Sequence, residues 1–332
     1  MKVTAKANAN IALTKYWGKK DAALKTPWNS STSVTLEGLE TTTTVEFDKK
    51  YKKDEFVLDG KEFGPETDEF KEVKEQLDII RGKAKIKDFA KVVSRNDFPT
   101  AAGFASSASG LAALTFAASK AAGLNLSVKE LSIISRMGSG SASRSLIDGF
   151  AIWHKGSASD GLDSFAEQIA PISHWPEFRI LGCVTSKKAK KVKSRAGMAQ
   201  SVKNSPIFET WYTTAEKDAQ KMVELVKWKK FEELGQLAQK NCILMHACAM
   251  TTTPAIIYWT DGTMQVIHRV MELQDEGMKA YFTIDGGPQV KVICLEKDVP
   301  KLKEELSKLD LVQEIIECKP GLGPRVVKEN LF

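Results

Sequence analysis

The sequence has little that would suggest a secreted, metal-bound or membrane protein. It contains five cysteines, an odd number, and no two of them are spaced as Cys-x-x-Cys. This excludes a disulfide framework and a zinc site, and it predicts free thiols in a reducing compartment. No apolar run approaches the length of a membrane span, and the first residues lack the apolar core of a signal peptide. We therefore expect a soluble, cytoplasmic protein with no membrane partner.

A strong excess of charge of one sign is also missing. The 48 lysine and arginine residues exceed the 42 aspartate and glutamate residues by a net charge of +6. This mild excess fits an anionic substrate but does not by itself predict nucleic-acid binding. The hydrophobic and charged fractions, 42% and 27%, are ordinary for a globular protein and argue against disorder. A length of 332 residues predicts about two domains.

The standard phosphate-binding loops are absent as well, since neither Gly-x-x-x-x-Gly-Lys-Ser/Thr nor Gly-x-Gly-x-x-Gly occurs. Instead, residues 99–110 combine two glycines with seven serines or alanines and no charge, between a strand-like run and a helix-like run at 111–123. Small residues let the backbone approach a ligand closely, and the N–H groups at a helix start attract anions. The segment alone is equally typical of a turn where a helix packs tightly on a sheet.

Local patterns predict strands and helices in both halves. An alternating, threonine-rich run predicts a half-exposed strand pair around Gly38, and Ser127 with Glu130 forms a capping box that begins a helix. In the second half, helical patterns cover residues 207–228, 231–245, 263–276 and 300–309, and strand patterns cover 281–285, 290–295 and 312–318. Strands that alternate with helices predict α+β layers, one in each half.

Two short segments carry cations in unusual surroundings. Lys15, Tyr16 and Lys19 lie around a Trp-Gly pair, where a partly buried lysine could bind phosphate, although most lysines are solvated. Residues 138–144 hold two glycines and three serines before Arg144. That segment is either a flexible turn or a set of hydroxyl donors with a bidentate fork for an anion.

A third segment, residues 281–288, ends in Asp285-Gly-Gly-Pro. An aspartate in this setting is most often a turn former. It also stands where the end of a strand would present a carboxylate to a cleft. The residues alone leave both interpretations open.

Taken together, these motifs resemble one family. Lys-Tyr-Trp-Gly-Lys, Asn29-Ser-Ser31, Pro-Thr-Ala-Ala-Gly-x-Ala-Ser-Ser, Gly-Ser-Gly-Ser-Ala-x-Arg-Ser and Tyr-Phe-Thr-x-Asp-x-Gly-Pro occur in the order of the mevalonate diphosphate decarboxylase family, in the GHMP kinase superfamily. The similarity extends from about Lys6 to Leu295. It implies a two-domain α+β GHMP kinase fold, with a ribosomal-S5-domain-2-like half at 1–184 that binds the ATP phosphates, a ferredoxin-like half at 185–332, and the active site in the cleft between them.

The resemblance also implies an activity and its residues. The family uses ATP and Mg²⁺ to phosphorylate the 3-hydroxyl of mevalonate 5-diphosphate, and phosphate and CO₂ then leave to give isopentenyl diphosphate, in the mevalonate pathway of isoprenoid biosynthesis. Asp285 would be the base or orienting group, Lys15 would lie near the transferred phosphoryl group, and Arg144 would orient the substrate carboxylate. Substrate binding is expected from Tyr16, Lys19, Ser139, Gly140, Ser141, Arg144, Ser194 and Arg195. ATP binding is expected from Pro99, Ala102, Gly103, Ala105, Ser106 and Ser107.

Mg²⁺ would be held mainly by the ATP phosphates, with Ser107 as the candidate protein ligand. The remaining lysines of the run at 187–195 are expected to be a solvated face, and His246 is expected to be a satisfied structural histidine. Ala196 and Trp28 depart from the family pattern, and either could adjust substrate choice. Many relatives are dimers, which predicts a homodimer here.

Three related activities and one unrelated function are the alternatives. Close relatives are mevalonate 3-kinases or decarboxylate phosphomevalonate or 3,5-bisphosphomevalonate. The presence of both Lys15 and Asp285 disfavours the pure kinase. No residue excludes either the phosphomevalonate decarboxylase or the 3,5-bisphosphomevalonate decarboxylase. A basic RNA-binding protein is the remaining alternative, because the first domain type also occurs in a ribosomal protein. The basic run lacks interleaved aromatic residues, which argues against it.

Overall fold

The computed structural model describes residues 1–98, 106–188 and 190–332, with the side chain of Ser106 left out. The strands are β1 (Lys2–Thr14), β2 (Ser31–Phe47), β3 (Glu55–Leu58), β4 (Lys61–Phe63), β5 (Ala90–Asn96), β6 (Phe150–Trp153), β7 (Ala166–Ala170), β8 (Phe178–Val184), β9 (Tyr281–Thr283), β10 (Val290–Leu295), β11 (Glu314–Pro320) and β12 (Arg325–Val327). The α-helices are α1 (Asp68–Ala84), α2 (Ser106–Ala121), α3 (Val128–Gly138), α4 (Ser194–Asn204), α5 (Phe208–Lys227), α6 (Phe231–Met250), α7 (Asp261–Asp275) and α8 (Val299–Ser307). Short 3₁₀ helices cover Gly140–Leu146, Ile172–His174 and Glu296–Asp298.

The strands of both halves are joined through β2 and β11. Along the main path the order is β4-β3-β5-β2-β11-β8-β10-β9, while β1 pairs with β2 and β12, and β6 pairs with β2 and β7. Most pairs are antiparallel, and β3 with β5 is a parallel pair. Because β11 pairs with β2 on one side and β8 on the other, the hydrogen-bonded ladder continues from the first half into the second.

The prediction of a strand pair around Gly38 is wrong. Residues 31–47 form the single strand β2, which is buried over most of its length. Gly38 has a φ of +101°, and the register against β1 is irregular where Asn8 and Asn10 pair. Glycine in this conformation allows a bulge that bends the strand without reversing it. The threonines are buried because they bond one another across strands, as Thr4 Oγ1 does with Thr44 Oγ1 at 2.7 Å.

Most other predicted elements are confirmed within a few residues. The capping box at the start of α3 is present, with Glu130 N–H donating to Ser127 Oγ at 3.3 Å and Ser127 N–H donating to Glu130 Oε2 at 2.9 Å. The helix expected after residue 110 is α2, whose alanines let it pack closely on β1 and β2. Helix α1 and strand β1 were not predicted.

Apolar clusters support each part of the molecule. Leu77, Val92 and Leu114 belong to a core between α1, α2 and the first-half strands. Phe178 and Leu234 belong to a central core under α5 and α6, and further residues of α7, α8 and β10 form a third. The predicted free thiols are confirmed, since all five cysteines are unpaired and buried. None of the described helices combines the length and the apolar character that a bilayer crossing requires.

Candidate active site

A cavity of about 940 Å³ lies between β1, α1 and α2 on one side and α4 on the other. It brings together most of the side chains predicted from the sequence. Its walls include Lys15, Tyr16, Lys19, Ser107, Ser139, Gly140, Ser141, Arg144, Ser194, Arg195 and Asp285. Of the remaining predicted residues, Ser106 begins α2, and four lie outside the described residues, namely Pro99, Ala102, Gly103 and Ala105.

An ion pair between a buried lysine and a partly exposed aspartate forms one wall of this cavity. Lys15 directly follows β1 and Asp285 lies just after β9, and Lys15 Nζ donates to Asp285 Oδ1 at 2.7 Å. Lys15 is only 1% exposed, and its ammonium group also donates to the carbonyl of Ala12 at 2.7 Å. A buried charge is tolerated when it is paired and hydrogen-bonded, as it is here.

Neighbouring cations keep Asp285 ionised. Burial alone would raise the pKa of its carboxyl group, but the positive charges of Lys15, Lys291 and Arg144 outweigh burial and hold that pKa at about 2. Lys291 lies in β10 and is fully buried. Burial lowers the pKa of Lys291 to about 8, although the Asp285 carboxylate opposes the shift.

Arg144 is held rigidly within the 3₁₀ helix Gly140–Leu146. Its Nε donates to Asn10 Oδ1 at 3.2 Å and its Nη1 donates to Ser31 Oγ at 2.7 Å. Burial lowers its pKa to about 10, so the guanidinium group remains charged at neutral pH. The Asn-Ser-Ser motif thus contributes a partner that fixes Arg144, while Asn29 donates to the carbonyl of Lys15 at 2.9 Å.

Gly140 lies so close to the rings of Tyr16 and Trp153 that position 140 requires a glycine. A Cβ on Gly140 would lie 2.6 Å from the Trp153 ring and 3.0 Å from the Tyr16 ring. Tyr16 stacks edge-on against Trp153 at 4.9 Å. Its hydroxyl group is buried and has no hydrogen-bond partner among the described residues. Burial, opposed by Arg144 and Arg195, raises the pKa of Tyr16, so the hydroxyl is a neutral donor for a ligand in the cavity.

The start of α4 closes the other side of the cavity. Arg195 Nη1 lies 2.8 Å from Glu72 Oε1 of α1, and Lys193 pairs with Asp68 at 3.5 Å and Glu69 at 3.4 Å. Burial raises the pKa of Glu72, with the Arg195 cation opposing it. Burial lowers the pKa of Lys19, and the Arg195 cation lowers it further.

The basic run before α4 is only partly a solvated face. Lys187 and Lys188 are exposed as expected, whereas Lys190 lines the cavity. Its Nζ lies 3.4 Å from Ser194 Oγ, and burial lowers its pKa while Asp285 opposes the shift. Lys190 lies in the cavity wall because the turn into α4 brings it over Gly286. A Cβ on Gly286 would come within 3.0 Å of Lys190 Nζ.

Three further expectations can be compared with the structure. Ala196 lies in the cavity wall, whereas Trp28 packs against Phe208 and Tyr212 and is not among the cavity's lining residues. His246 is buried as predicted, but its Nε2 has no hydrogen-bond partner among the described residues, so it is not fully satisfied. Its ring packs on Trp259 at 5.1 Å, which offers it an aromatic surface in place of a polar one.

Several buried polar residues around the ion pair are not predicted by the motifs. Lys291 and Asn241 are both fully buried. Each lies within a run whose apolar periodicity predicts only a strand or a helix, so no local signal separates them from ordinary element residues. A lysine between two valines of a buried strand is the single hint that Lys291 needs a partner.

A cavity lined by a buried lysine, its partner carboxylate and a fixed arginine defines an enzyme that acts on a small anionic molecule. The family model described as diphosphomevalonate decarboxylase-like N-terminal domain matches residues 7–166, and the mevalonate 5-diphosphate decarboxylase C-terminal domain matches residues 180–314. The chain therefore belongs to the diphosphomevalonate decarboxylase family, whose members are carboxy-lyases.

Individual relatives agree along the whole chain. The diphosphomevalonate decarboxylase of Candida albicans is 34% identical over 98% of both chains. The crystal structure of mevalonate diphosphate decarboxylase from Staphylococcus aureus is 35% identical, with a TM-score of 0.92 over 98% of both chains. A structure of MDDEF in complex with MVAPP, AMPPCP and magnesium is 40% identical, with a TM-score of 0.92 over 99% of both chains. The predictions of the family, the α+β GHMP kinase fold and the enzyme class are confirmed.

Proposed function

We propose that this protein catalyses the ATP-dependent decarboxylation of mevalonate 5-diphosphate to isopentenyl diphosphate, ADP, phosphate and CO₂. The observation that carries the proposal is the Lys15–Asp285 ion pair in the wall of a cavity that also contains Arg144. Support comes from the relatives named above, one of which was solved with MVAPP, AMPPCP and magnesium.

Asp285 is proposed to accept a hydrogen bond from the 3-hydroxyl group of the substrate. With a pKa of about 2 it is an ionised carboxylate at neutral pH and a weak base. It therefore orients the hydroxyl oxygen toward the γ-phosphoryl group and takes the proton as the new phosphate ester forms. Lys15 is proposed to neutralise charge on the transferred group from its position beside that carboxylate.

Arg144 is proposed to orient the substrate carboxylate. Two contacts, with Asn10 and Ser31, restrict the guanidinium group to one position. Its role must be orientation, because a cation that stabilised the carboxylate too strongly would oppose the loss of CO₂. The 3-phosphate leaves with its electron pair, and the carboxylate leaves as CO₂. The double bond of isopentenyl diphosphate then forms between the carbon that carried the phosphate and the carbon that carried the carboxylate.

The remaining predicted residues are proposed to bind phosphate groups. The 5-diphosphate would contact Tyr16, Lys19, Ser139, Gly140, Ser141, Ser194 and Arg195. The ATP phosphates would contact Ser106, Ser107 and the preceding residues Pro99, Ala102, Gly103 and Ala105. The unpartnered, buried hydroxyl of Tyr16 supports a polar ligand on the first of these surfaces.

Mg²⁺ is proposed to bind mainly through the ATP phosphates, with the Ser107 hydroxyl as its candidate protein ligand. Among the described residues, no group of three or more histidine, cysteine, aspartate or glutamate side chains could hold a metal ion. Such a cavity fits a cation that enters with the nucleotide and keeps oxygen ligands from phosphate. When bound, Mg²⁺ neutralises charge on the phosphates during transfer.

The domain boundary, the oligomeric state and the cellular location are also proposals. The two domains are proposed to divide at 184/185, although β8, which ends at this boundary, is hydrogen-bonded to β10 and β11 of the second half. A homodimer is proposed from the resemblance, and light scattering of the purified protein tests it. A cytoplasmic location is proposed because all five cysteines are unpaired, and cell fractionation tests it.

Product analysis with three substrates tests the proposed function. Mevalonate, its 5-phosphate and its 5-diphosphate are each incubated with and without ATP and Mg²⁺, and ADP and CO₂ are quantified together. Equal amounts of ADP and CO₂ from the diphosphate alone support the proposal. ADP without CO₂ makes the protein a kinase, preference for the monophosphate makes it a phosphomevalonate decarboxylase, and no product from any of them contradicts the proposal.

A further inference from the structure

The backbone of Lys15 depends on two buried asparagines. Lys15 lies beyond the last residue of β1, so its N–H and C=O groups need partners outside the sheet. Asn241 Oδ1 accepts from the Lys15 N–H at 2.7 Å, and Asn29 Nδ2 donates to the Lys15 carbonyl at 2.9 Å. Both asparagines are fully buried. These two side chains therefore fix the backbone from which the Lys15 side chain extends toward Ala12 and Asp285.

Asp218 fixes which way Asn241 faces. Asn241 Nδ2 donates to Asp218 Oδ2 at 2.9 Å, and Asp218 is 5% exposed in α5. An ionised carboxylate can only accept hydrogen bonds, so the amide nitrogen must face Asp218 and the amide oxygen must face Lys15. The contacts run without a break from Asp218 through Asn241 and Lys15 to Asp285.

Helix α6, which contains Asn241, also holds the chain next to the other member of the ion pair. Cys242, the next residue of α6, accepts from the Ile284 N–H at 3.1 Å through its Sγ, and the Cys242 thiol donates to the Ile284 carbonyl at 3.4 Å. Ile284 directly precedes Asp285. Two adjacent residues of α6 thus hold the backbone at Lys15 and at Ile284, next to the two charged residues.

We infer that Asn241, oriented by Asp218, is a positioning residue that keeps Lys15 in contact with Asp285 during the reaction. Asn241 is not among the residues that line the cavity, so it acts through Lys15 and not on the substrate. The inference rests on the proposed function, because the ion pair is assigned there to the transfer of the phosphoryl group.

Asn241→Leu removes the acceptor while keeping the approximate volume. We expect kcat to fall on the order of 10- to 100-fold, since small misplacements of reacting groups have effects of this size. KM for ATP should stay within about 3-fold, because no nucleotide contact is altered. With Lys15 displaced, its share of the positive charge that opposes burial at Asp285 is weakened, so the pKa of Asp285 should rise and the acidic limb of the kcat–pH profile should move to higher pH.

Asn8→Leu is the matched control. Asn8 is a buried asparagine in β1 whose Nδ2 donates to the Leu322 carbonyl at 2.9 Å, outside the cavity wall. Its loss should lower thermal stability by a similar amount and leave the pH profile unchanged. If the loss of any buried polar group were enough to cause the change, the kcat–pH profiles of both variants would shift alike.

An exchange of the two partners gives a second measurement should Asn241→Leu fail to fold. In Asp218→Asn/Asn241→Asp the carboxylate accepts from Lys15 and the new amide at 218 donates to it. We expect kcat within about 5-fold of wild type, well above that of Asn241→Asp alone, where two carboxylates face each other.

The two proposals fail in different ways. Wild-type protein that makes no CO₂ from mevalonate 5-diphosphate contradicts the proposed function. Active wild type together with a folded Asn241→Leu variant of unchanged kcat and pH profile overturns only the positioning role. Equal kcat for the double variant and Asn241→Asp would also overturn it.

Discussion

Lysine usually lies at the surface, yet Lys15 and Lys291 are both buried close to one carboxylate. The arrangement is stable because each cation has a charged or polar partner and because Asp285 remains ionised among them. Burial and the surrounding charges act in opposite directions on Asp285, and the charges dominate. A carboxylate with so low a pKa serves better to orient a hydroxyl group than to hold a proton.

Asp285→Asn tests that role. We expect kcat to fall by at least ~100-fold, the scale of a positioned acid–base group, with ATP binding largely unchanged. The neutral amide cannot accept the hydroxyl proton. Steady-state turnover and nucleotide titration measure the two quantities, and Asp275→Asn, at the exposed end of α7, is the control. Turnover close to wild type would refute the assignment.

Arg144→Lys tests recognition of the substrate carboxylate. The substrate KM should rise and kcat should fall, because a point charge cannot replace a planar fork held by Asn10 and Ser31. Arg136→Lys removes another buried arginine, one that donates to the Gly161 carbonyl at 2.7 Å. That control should lower the melting temperature and leave KM unchanged. If KM stays at the wild-type value in Arg144→Lys as well, the fork is not required.

At the scale of single elements, the sequence predicts a helix far better than the side chains that a helix places at the site. The apolar periodicity of residues 231–245 predicts α6, which runs to Met250. Nothing in that periodicity indicates that Asn241, Cys242 and His246 face Lys15 and the residues around Asp285, because those partners come from distant parts of the chain. The strand pair predicted around Gly38 is wrong for a similar reason, since only the pairing of residues 31–47 with β1 shows one continuous strand.

Five motif segments, by contrast, are sufficient to predict the family and the Lys15–Asp285 pair and Arg144 of the cavity wall. They contain glycines and charged residues at fixed spacing, which carry information that periodicity does not. The approach of Lys190 to Gly286 depends on tertiary packing, so the sequence predicts substrate binding for Ser194 and Arg195 and a solvated face for the lysines of the basic run.

The burial of His246 in α6 predicts a dependence of stability on pH. Burial and the nearby Lys15 cation lower its pKa to about 3 from a usual value of 6.5. The unfolded chain therefore binds a proton below pH 6.5 that the folded protein does not bind until about pH 3. The free energy of unfolding should decrease across this window as the pH falls, by up to about 1.4 kcal/mol per pH unit from this group.

Urea unfolding at pH 7, 6 and 5 measures the effect. His246→Phe should flatten the decrease between pH 6.5 and 5, because the unfolded chain then has one proton site fewer. His268→Phe, at an exposed position of α7, should leave the slope unchanged. Equal slopes for wild type and His246→Phe would mean that His246 is protonated in the folded protein.

At the scale of the whole molecule, the two sides of the cavity are connected in two ways. The strand ladder through β2 and β11 is continuous and joins the two halves by backbone hydrogen bonds. Ion pairs between α1 and α4 cross its opening, with Arg195 bound to Glu72 and the largely exposed Lys193 near Asp68 and Glu69. Each pair has a cation with about half or more of its side chain exposed to solvent, and such pairs contribute modest free energy, so a ligand with several negative charges can replace the carboxylates as the partner of these cations.

Glu72→Gln tests this competition. If the 5-diphosphate must displace Glu72 from Arg195, the neutral side chain should lower the substrate KM by about 2- to 5-fold, as expected from the modest strength of such a pair. The effect should be largest at low ionic strength, where the ion pair is screened least. Glu75→Gln, which removes the partner of Lys25 at 2.6 Å elsewhere on α1, is the control and should leave KM unchanged. A tenfold higher KM in Glu72→Gln would instead mean that Glu72 orients Arg195 for the substrate, and the contact across the opening would then belong to the binding site.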